Sequence, residues 1–183
     1  MAFFTEDYFR NISNRIPISE QREYTTRDGK LPLNTIFDVF LSYNINDITV
    51  VKGIYYYLKR KGLKVYLDCI TDPDMKRSET DKQTANRIRT RLLHSKSLLY
   101  AQSPKAGQSN WMPWELGIID GHVHKCYIMP VTKDATPVTP RREYLSLYPY
   151  IQPSAFDKDV MSIYTEKDGK TEITDFVREV RNN

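Results

Sequence analysis

The sequence predicts an α/β fold in which a doubly wound parallel sheet carries helices on both faces. Segments typical of strands alternate with segments typical of helices, in the order β-α-β-α-β-α-β. This alternation is expected of parallel strands that are joined by right-handed helical crossovers. The first strand segment, residues 36–43, is a nearly continuous apolar run, as expected for a strand that is buried on both faces.

The composition is that of an ordinary globular domain. The chain has 183 residues, of which 40% are hydrophobic and 27% are charged, so one domain with an ample core is expected. Its 27 basic and 23 acidic residues leave a formal net charge of +4, which is too small to indicate nucleic-acid binding. No segment approaches ~18 consecutive apolar residues, so no membrane contact is predicted either.

The N-terminus and the cysteines favour a cytoplasmic location. Phe3 and Phe4 are followed at once by polar residues, which does not fit a signal peptide. Cys69 and Cys126 have no CxxC or CxxH neighbourhood. They are predicted to be free, buried thiols in a reducing compartment.

Residues 1–34 are predicted to form an N-terminal extension outside the domain. Phe4, Tyr8 and Ile12 follow each other at intervals of four, as on one face of a short helix. A mobile arm would expose several aromatic side chains, so we expect the extension to dock on the domain or on a second subunit.

The next segments form one βαβ unit. After the strand at 36–43, Val50, Ile54 and Leu58 repeat every four residues and predict a helix. Residues 63–68 predict a second strand, at or near an edge of the sheet. The polar loop at 69–84 follows, and loops of this length in compact domains are more often functional than idle.

A second helix, with Ala85, Ile88 and Leu92 on its buried side, leads to a third strand at 97–103. Three arginines alternate around this helix and are predicted to lie on its solvent surface: Arg87, Arg89 and Arg91.

The remaining elements complete the sheet. We expect a helix at 111–120, a fourth strand at 126–131 and a short fifth strand near 150–151. Asp168-Gly169 is a turn signal. A closing amphipathic helix is predicted from four apolar residues at helical spacing: Ile173, Phe176, Val177 and Val180.

Both tryptophans of the chain lie at the start of the 111–120 helix. Ser109 or Asn110 can cap it, and Gly121 can take the left-handed position that ends it. Trp111 and Glu115 are four apart and share a face. They could stack on a flat ligand and hold its hydroxyls, or they could be a core residue and a carboxylate that favours the helix N-terminus.

Topology favours a ligand site around Glu115. In doubly wound sheets, ligands bind beyond the carboxyl ends of the strands, where the strand order reverses. With the common order 2-1-3-4-5 that place is between the first and third strands. The segments that converge there are residues 42–44, the loop after Asp68, Gln102-Ser103 and the start of the Glu115 helix.

Three segments in this order make the chain resemble a Toll/interleukin-1 receptor (TIR) domain, over roughly residues 35–157. They are the strand at 37–43, the strand at 63–68 with its long loop, and the Ser-x-Trp-x-x-x-Glu-Leu-Gly string at 109–117. The resemblance implies a flavodoxin-like five-stranded parallel sheet with helices on both faces. Residues 1–34 lie outside it, and residues 158–183 are expected to complete the domain with a C-terminal helix.

Arg77-Ser78 in the loop and the Trp-x-Pro-Trp-Glu-Leu-Gly string at 111–117 resemble stand-alone bacterial TIR proteins, including those of anti-phage defence systems such as Thoeris. This resemblance implies an enzyme that cleaves the nicotinamide–ribose bond of NAD and makes an ADP-ribose-derived signal, with Glu115 as the catalytic glutamate and Trp111 in the substrate pocket. The product can be ADP-ribose, a cyclic isomer or a conjugate. The long charged loop departs from animal receptor adaptors, so adaptor-style docking is not expected.

Further substrate contacts are expected from the same edge. Ser42 could bond ribose and Tyr43 could stack on a ring, although both could equally just end a strand. Arg77 could bind the diphosphate because a guanidinium fork matches phosphate oxygens, or it could be a solvated loop charge. Its neighbour Ser78 and Asp68 complete the predicted set.

No cofactor is expected, because NAD acts as the substrate. No metal is expected either, and the three histidines are predicted to be surface residues. The expected partners are a second copy of the chain, whose loop would complete the site, and a separate effector that senses the nucleotide product. Two alternatives stay open: a non-catalytic TIR scaffold, and a nucleoside deoxyribosyltransferase-like enzyme.

Overall fold

The computed structural model describes residues 3–17, 19–20, 31–75, 81–134, 142–157, 159–167 and 170–182. Its strands are β1 (Phe4–Thr5), β2 (Val39–Ser42), β3 (Val65–Tyr66), β4 (Leu98–Gln102), β5 (Cys126–Thr132), β6 (Tyr150–Pro153), β7 (Met161–Lys167) and β8 (Lys170–Asp175). Its helices are α1 (Glu6–Asn14), α2 (Ile48–Arg60), α3 (Asp68–Thr71), α4 (Lys82–Leu93), α5 (Trp111–Val123) and α6 (Phe176–Arg181). None of the helices within these ranges has the length and apolar character needed to span a membrane.

The central sheet has the strand order β3-β2-β4-β5-β6-β7-β8. The strands β3, β2, β4, β5 and β6 are parallel neighbours, which is the predicted order 2-1-3-4-5. The predicted five-stranded parallel sheet is thus confirmed, and β3 lies at its edge as expected. The strands β7 and β8 extend the sheet as an antiparallel hairpin, and β1 pairs with the end of β5.

Alternation along the strands divides the core into two layers, because successive side chains point to opposite faces. On β2, Val39 and Leu41 join the layer under α1, α2 and α6, whereas Phe40 joins the layer under α4 and α5. On β4, Leu99 and Tyr100 divide in the same way. The predicted helices on both faces are therefore present, and α5 covers the face toward which Ser42 points.

The N-terminal extension docks on the domain, as predicted. Phe9 of α1 is fully buried, and Tyr8 and Ile12 are partly buried against the same core layer. Phe4 is buried too, but it lies in β1 and not in the helix. Helix α1 lies directly against α2, where a Cβ on Gly53 would come within 2.0 Å of the Phe9 carbonyl oxygen. A glycine is required at this crossing because any side chain would displace the α1 backbone.

Arg91 is not on the solvent surface, and that prediction is wrong. Its side chain is fully buried, and its guanidinium donates from Nε and Nη2 to the two carboxylate oxygens of Asp72, both at 3.0 Å. The remaining donors bind the carbonyl oxygens of Leu31 and Pro32. The partner carboxylate lies in the loop after α3, which the alternation of arginines on α4 could not reveal.

The C-terminal helix begins later than predicted. Ile173 belongs to β8 and is 59% exposed, and the helix starts at Phe176, where the Asp175 carboxylate accepts a bond from the Arg178 amide. Asp168-Gly169 lie outside the described residues, but β7 and β8 pair up to Lys167 and Lys170 on either side of them.

Two smaller expectations are also corrected. Gly121 does not end α5; the helix continues to Val123, and His124 takes the left-handed conformation with φ of 54°. Of the two free thiols, Cys126 is buried but Cys69 is only partly buried.

Candidate active site

Helix α5 brings Glu115 to the carboxyl edge of the sheet. The Ser109 hydroxyl accepts a bond from the Met112 amide at 3.3 Å, whereas Asn110 makes no side-chain cap. Pro113 occupies the first turn, where its missing N–H is not needed. Glu115 follows on the side of the helix that faces β2, and it is fully buried.

Ser42 and Glu115 are brought together by β2 and α5. Ser42 ends β2, and its hydroxyl donates to Oε2 of Glu115 at 2.5 Å. Both side chains have no solvent exposure. A hydroxyl bond to a carboxylate is typically this short and is stronger than a neutral hydrogen bond. The serine therefore helps to fix the orientation of the carboxylate at the point where a ligand is expected.

Tyr43 and Asp68 form a second pair on the other side of β2. The Tyr43 hydroxyl donates to Oδ1 of Asp68 at 2.8 Å, and the Cys69 amide donates to the same oxygen at 2.7 Å. Tyr43 is 1% exposed and packs in the layer under α2. The structure joins the ends of β2 and β3 through this bond, and the ligand contacts predicted for both residues stay predictions.

Trp111 lies half-buried at the start of α5, on the layer shared by α4 and α5. Its ring meets the ring of Trp114 edge-on, with centroids 5.5 Å apart. The guanidinium of Arg89 lies over Trp114, 5.5 Å from its centroid. The indole of Trp111 therefore remains partly accessible while its neighbour ties α5 to α4.

A polar cluster ties two loops together at this edge; Asn44 and Ser103 were expected here from the sequence, whereas Asp47 and Lys105 were not. The Asn44 amide donates to the Lys105 carbonyl at 2.8 Å, and the Ser103 hydroxyl donates to the buried carboxylate of Asp47. The Lys105 ammonium lies 3.5 Å from that carboxylate. The loop after β2 and the loop after β4 are thus held against each other beside Ser42.

A cavity of about 140 Å³ lies on the α5 side of the sheet, at the end of β4. Its lining residues are Tyr100, Gln102, Ser103, Pro104, Ala106, Gly107, Arg142 and Leu145. The guanidinium of Arg142 donates to the Gly107 carbonyl at 2.9 Å and to the Tyr144 hydroxyl at 3.2 Å.

Tyr100 relates this cavity to Glu115. Burial raises the pKa of Tyr100 to about 12, and the negative charge of Glu115 contributes to the increase. The sequence indicated Gln102 and Ser103 at this edge. It did not indicate Arg142 or Leu145, because these two residues precede β6 in a segment without the periodicity of a helix or a strand.

Arg77 and Ser78 lie outside the described residues, so their predicted roles stay predictions. Among the described side chains, no group of three or more His, Cys, Asp or Glu is arranged to hold a metal ion.

A sequence model of the TIR domain family matches residues 39–162. The probable 3′ cyclic ADP-D-ribose synthase ThsB′ of Bacillus cereus (strain MSX-D12) is 41% identical over 119 residues, which are 64% of this chain and 62% of that protein. The putative cyclic ADP-D-ribose synthase TIR2 of Cytobacillus dafuensis is 27% identical over 82 residues, 44% of this chain and 22% of that protein. The chain thus spans less than two thirds of the length of these two relatives.

Among solved structures, the TIR domain of the Toll-related receptor TRR-2 from Hydra magnipapillata aligns with a TM-score of 0.45 and 21% identity. The alignment covers 62% of this chain and 82% of that one.

Proposed function

Because the chain belongs to the TIR domain family, we propose that it is an enzyme that cleaves NAD at the nicotinamide–ribose bond and makes an ADP-ribose-derived signal. The observation that carries the proposal is the buried Ser42–Glu115 pair at the carboxyl edge of the sheet, inside the matched range. The names of the two relatives, both cyclic ADP-D-ribose synthases, support the same chemistry.

One carboxylate is enough for this reaction. The pyridinium ring of NAD is cationic, so nicotinamide leaves as a neutral molecule and needs no acid to protonate it. The ribose then carries the positive charge, as in other glycosyl transfers. Glu115 would bind the ribose hydroxyls and offset this charge, an effect that is strong where water is excluded. Ser42 would hold the carboxylate in place.

Access to Glu115 requires a rearrangement, since its side chain has no solvent exposure in the single chain. We attribute this rearrangement to self-association, in which the loop of a second copy meets the site. Arg77 and Ser78 would then bind the diphosphate, and Trp111 would wall the pocket. Tyr43 and Asp68 would hold the end of β3 and the loop that follows it. No metal and no cofactor take part in this scheme.

The product is proposed to be a nucleotide signal in anti-phage defence, formed in the cytoplasm and sensed by a separate effector. The names of the relatives favour a cyclic ADP-ribose, formed without water, over the ADP-ribose that hydrolysis would give.

The test is to incubate the purified protein with NAD at increasing concentration and to identify every product by mass. We expect nicotinamide and a cyclic ADP-ribose, which is one water lighter than ADP-ribose, in equal amounts. The rate per subunit should rise with concentration. Glu115→Gln keeps the size of the side chain and a hydrogen-bond acceptor for Ser42 but removes the charge. It should lower the rate by ~10²–10³-fold, as for removal of one electrostatic group from an active site.

The outcome that contradicts the proposal is intact NAD with the wild-type protein in its associated form, or full activity of a folded Glu115→Gln variant. Retained self-association without turnover would indicate a scaffold. Base exchange on free nucleosides in the same assay would indicate a deoxyribosyltransferase.

A further inference from the structure

Gln102 presents a buried acceptor without a partner beside the cavity at the end of β4. Its side chain is 7% exposed, and within the described part of the chain its Oε1 atom accepts no hydrogen bond. Buried side-chain oxygens are almost always bonded, because a lost bond to water is costly when nothing replaces it. An exception that lines a cavity indicates a ligand with a donor group.

The shape and the walls of the cavity define that ligand further. Its volume of about 140 Å³ is close to that of the ~150 Å³ cavities that hold one benzene-sized ring. The ring of Tyr100, Pro104 and Leu145 supply apolar walls. The guanidinium of Arg142 is the charged group of the lining and carries donors only. A small aromatic ring with one donor and one acceptor on its substituent matches this lining.

The cavity begins one side chain away from the carboxylate. Tyr100 is paired in register with Ser42, whose hydroxyl binds Glu115. Both residues point to the α5 side of the sheet, and the charge of Glu115 acts on Tyr100. A ring in the cavity would therefore lie on the same face of the sheet as Glu115, beside the strand that ends at Ser42.

We propose that this cavity is the leaving-group subsite and that Gln102 selects the carboxamide of nicotinamide, an inference that rests on the proposed function. The carboxamide NH₂ donates to Oε1 of Gln102, and its carbonyl oxygen accepts from the guanidinium of Arg142.

The charge of Arg142 also fits the direction of the reaction. When the bond between ribose C1′ and the ring nitrogen breaks, its electron pair stays on the nitrogen and the ring becomes neutral. The ribose carbon then bonds to an oxygen or nitrogen nucleophile, which releases its proton to solvent if it carried one. A fixed cation beside the ring favours the neutral ring over the pyridinium, and so favours departure.

The test compares NAD with its 3-acetylpyridine analogue, in which a methyl ketone replaces the carboxamide and removes only the NH₂ donor. The ratio of kcat/KM for the two substrates is measured in the wild type and in Gln102→Met, a variant of similar length. We expect the preference for NAD to fall at least tenfold in the variant, mostly through the NAD value. Intrinsic reactivity of the two rings cancels in this comparison.

Gln152→Met is the matched control, since Gln152 is also a buried glutamine of the sheet, at 6% exposure, but does not line this cavity. It should leave the ratio unchanged. A second variant, Gln102→Leu, is used if Gln102→Met does not fold, as judged by thermal unfolding.

An independent measurement is nicotinamide binding to the inactive Glu115→Gln protein by ligand-observed NMR, with and without Gln102→Met. Weaker binding in the double variant supports the subsite. If the Gln102 variants cleave NAD with the wild-type ratio of kcat/KM for NAD and the analogue, the subsite is overturned while the proposed function stands. If the wild type leaves NAD intact, the proposed function fails, and equal nicotinamide binding with and without Gln102→Met overturns the subsite as well.

Discussion

Ser42 illustrates how one hydroxyl can govern a buried carboxylate. It ends a strand that is buried along its whole length, and it donates to Glu115 from inside the protein. A carboxylate in such a place is stable only if donors surround it, because an unpaired buried charge is strongly unfavourable. The serine therefore stabilises the buried carboxylate and fixes its orientation.

We expect Ser42→Ala to lower kcat by roughly 10²-fold, since a misplacement of about 1 Å in an active site can have that effect. KM for NAD should change less, because the substrate contacts of the other residues remain. Steady-state kinetics on the associated protein would measure both values.

The control is Ser97→Ala, which removes another buried hydroxyl of the same sheet, one that donates to the Asp38 carbonyl at 2.7 Å far from Glu115. It should lower the free energy of unfolding by about 1 kcal/mol and leave kcat unchanged. Equal loss of kcat in the two variants would argue against a positioning role for Ser42.

At this scale, sequence reasoning succeeds where position along a strand determines the environment. Ser42 and Glu115 follow from a strand end and a helix start at one edge, and the structure brings them together. Arg91 could not be predicted in this way. Its burial depends on Asp72, which belongs to a loop, and on two carbonyl groups before β2.

Among the elements, α4 is attached to the edge of the sheet by Arg91. The guanidinium of Arg91 lies 5.7 Å from the ring centroid of Tyr66 on β3, and the Tyr66 hydroxyl donates to the same Asp72 carboxylate at 3.0 Å. One buried cation thus links α4, β3, the loop after α3 and the segment before β2. Removal of either charge would leave the other buried and uncompensated.

Arg91→Ala should therefore lower the free energy of unfolding by about 3–5 kcal/mol, as for other broken buried ion pairs. For a chain of this size the melting temperature should fall by roughly 10 °C, which calorimetry or circular dichroism would show.

Arg89→Ala is the control on the same helix, because Arg89 is exposed and has no buried carboxylate among its described partners; it bonds Asn86 and lies over the Trp114 ring. Its effect should stay within about 1 kcal/mol. Similar stability of both variants would mean that the Arg91–Asp72 pair contributes no more than a surface contact.

The elements themselves divide into a predictable and an unpredictable group. Alternation of strand and helix patterns predicts the parallel order of β2 to β6, since right-handed crossovers leave few arrangements. The hairpin of β7 and β8 was missed, although Asp168-Gly169 between two alternating segments is a hairpin signal. Ile173 stands three residues before Phe176, and this helical spacing concealed its place in the strand.

For the whole molecule, buried hydroxyl and thiol groups limit stability at alkaline pH. Burial raises the pKa of Tyr100, Tyr127 and Cys126 to about 12 in each case, from ordinary values of 10.0 for tyrosine and 9.0 for cysteine. The folded chain retains these protons at pH values where the unfolded chain has lost them. Stability is therefore unaffected by these groups below about pH 9 and decreases as the pH rises toward 12.

We expect the melting temperature to decline from about pH 9 upward. Tyr127→Phe should reduce the decline because it removes one such group. An equal decline of the melting temperature in the wild type and in Tyr127→Phe would contradict this expectation.

The pairing of β1 with β5 has a consequence during synthesis. Phe4 and Thr5 pair with Val131 and Thr132, which the ribosome adds much later. At ~5–20 residues per second, roughly 6–25 s separate the two events. Throughout that interval Phe4 lacks its strand partner, so β1 cannot take its place in the sheet until most of the protein has been made.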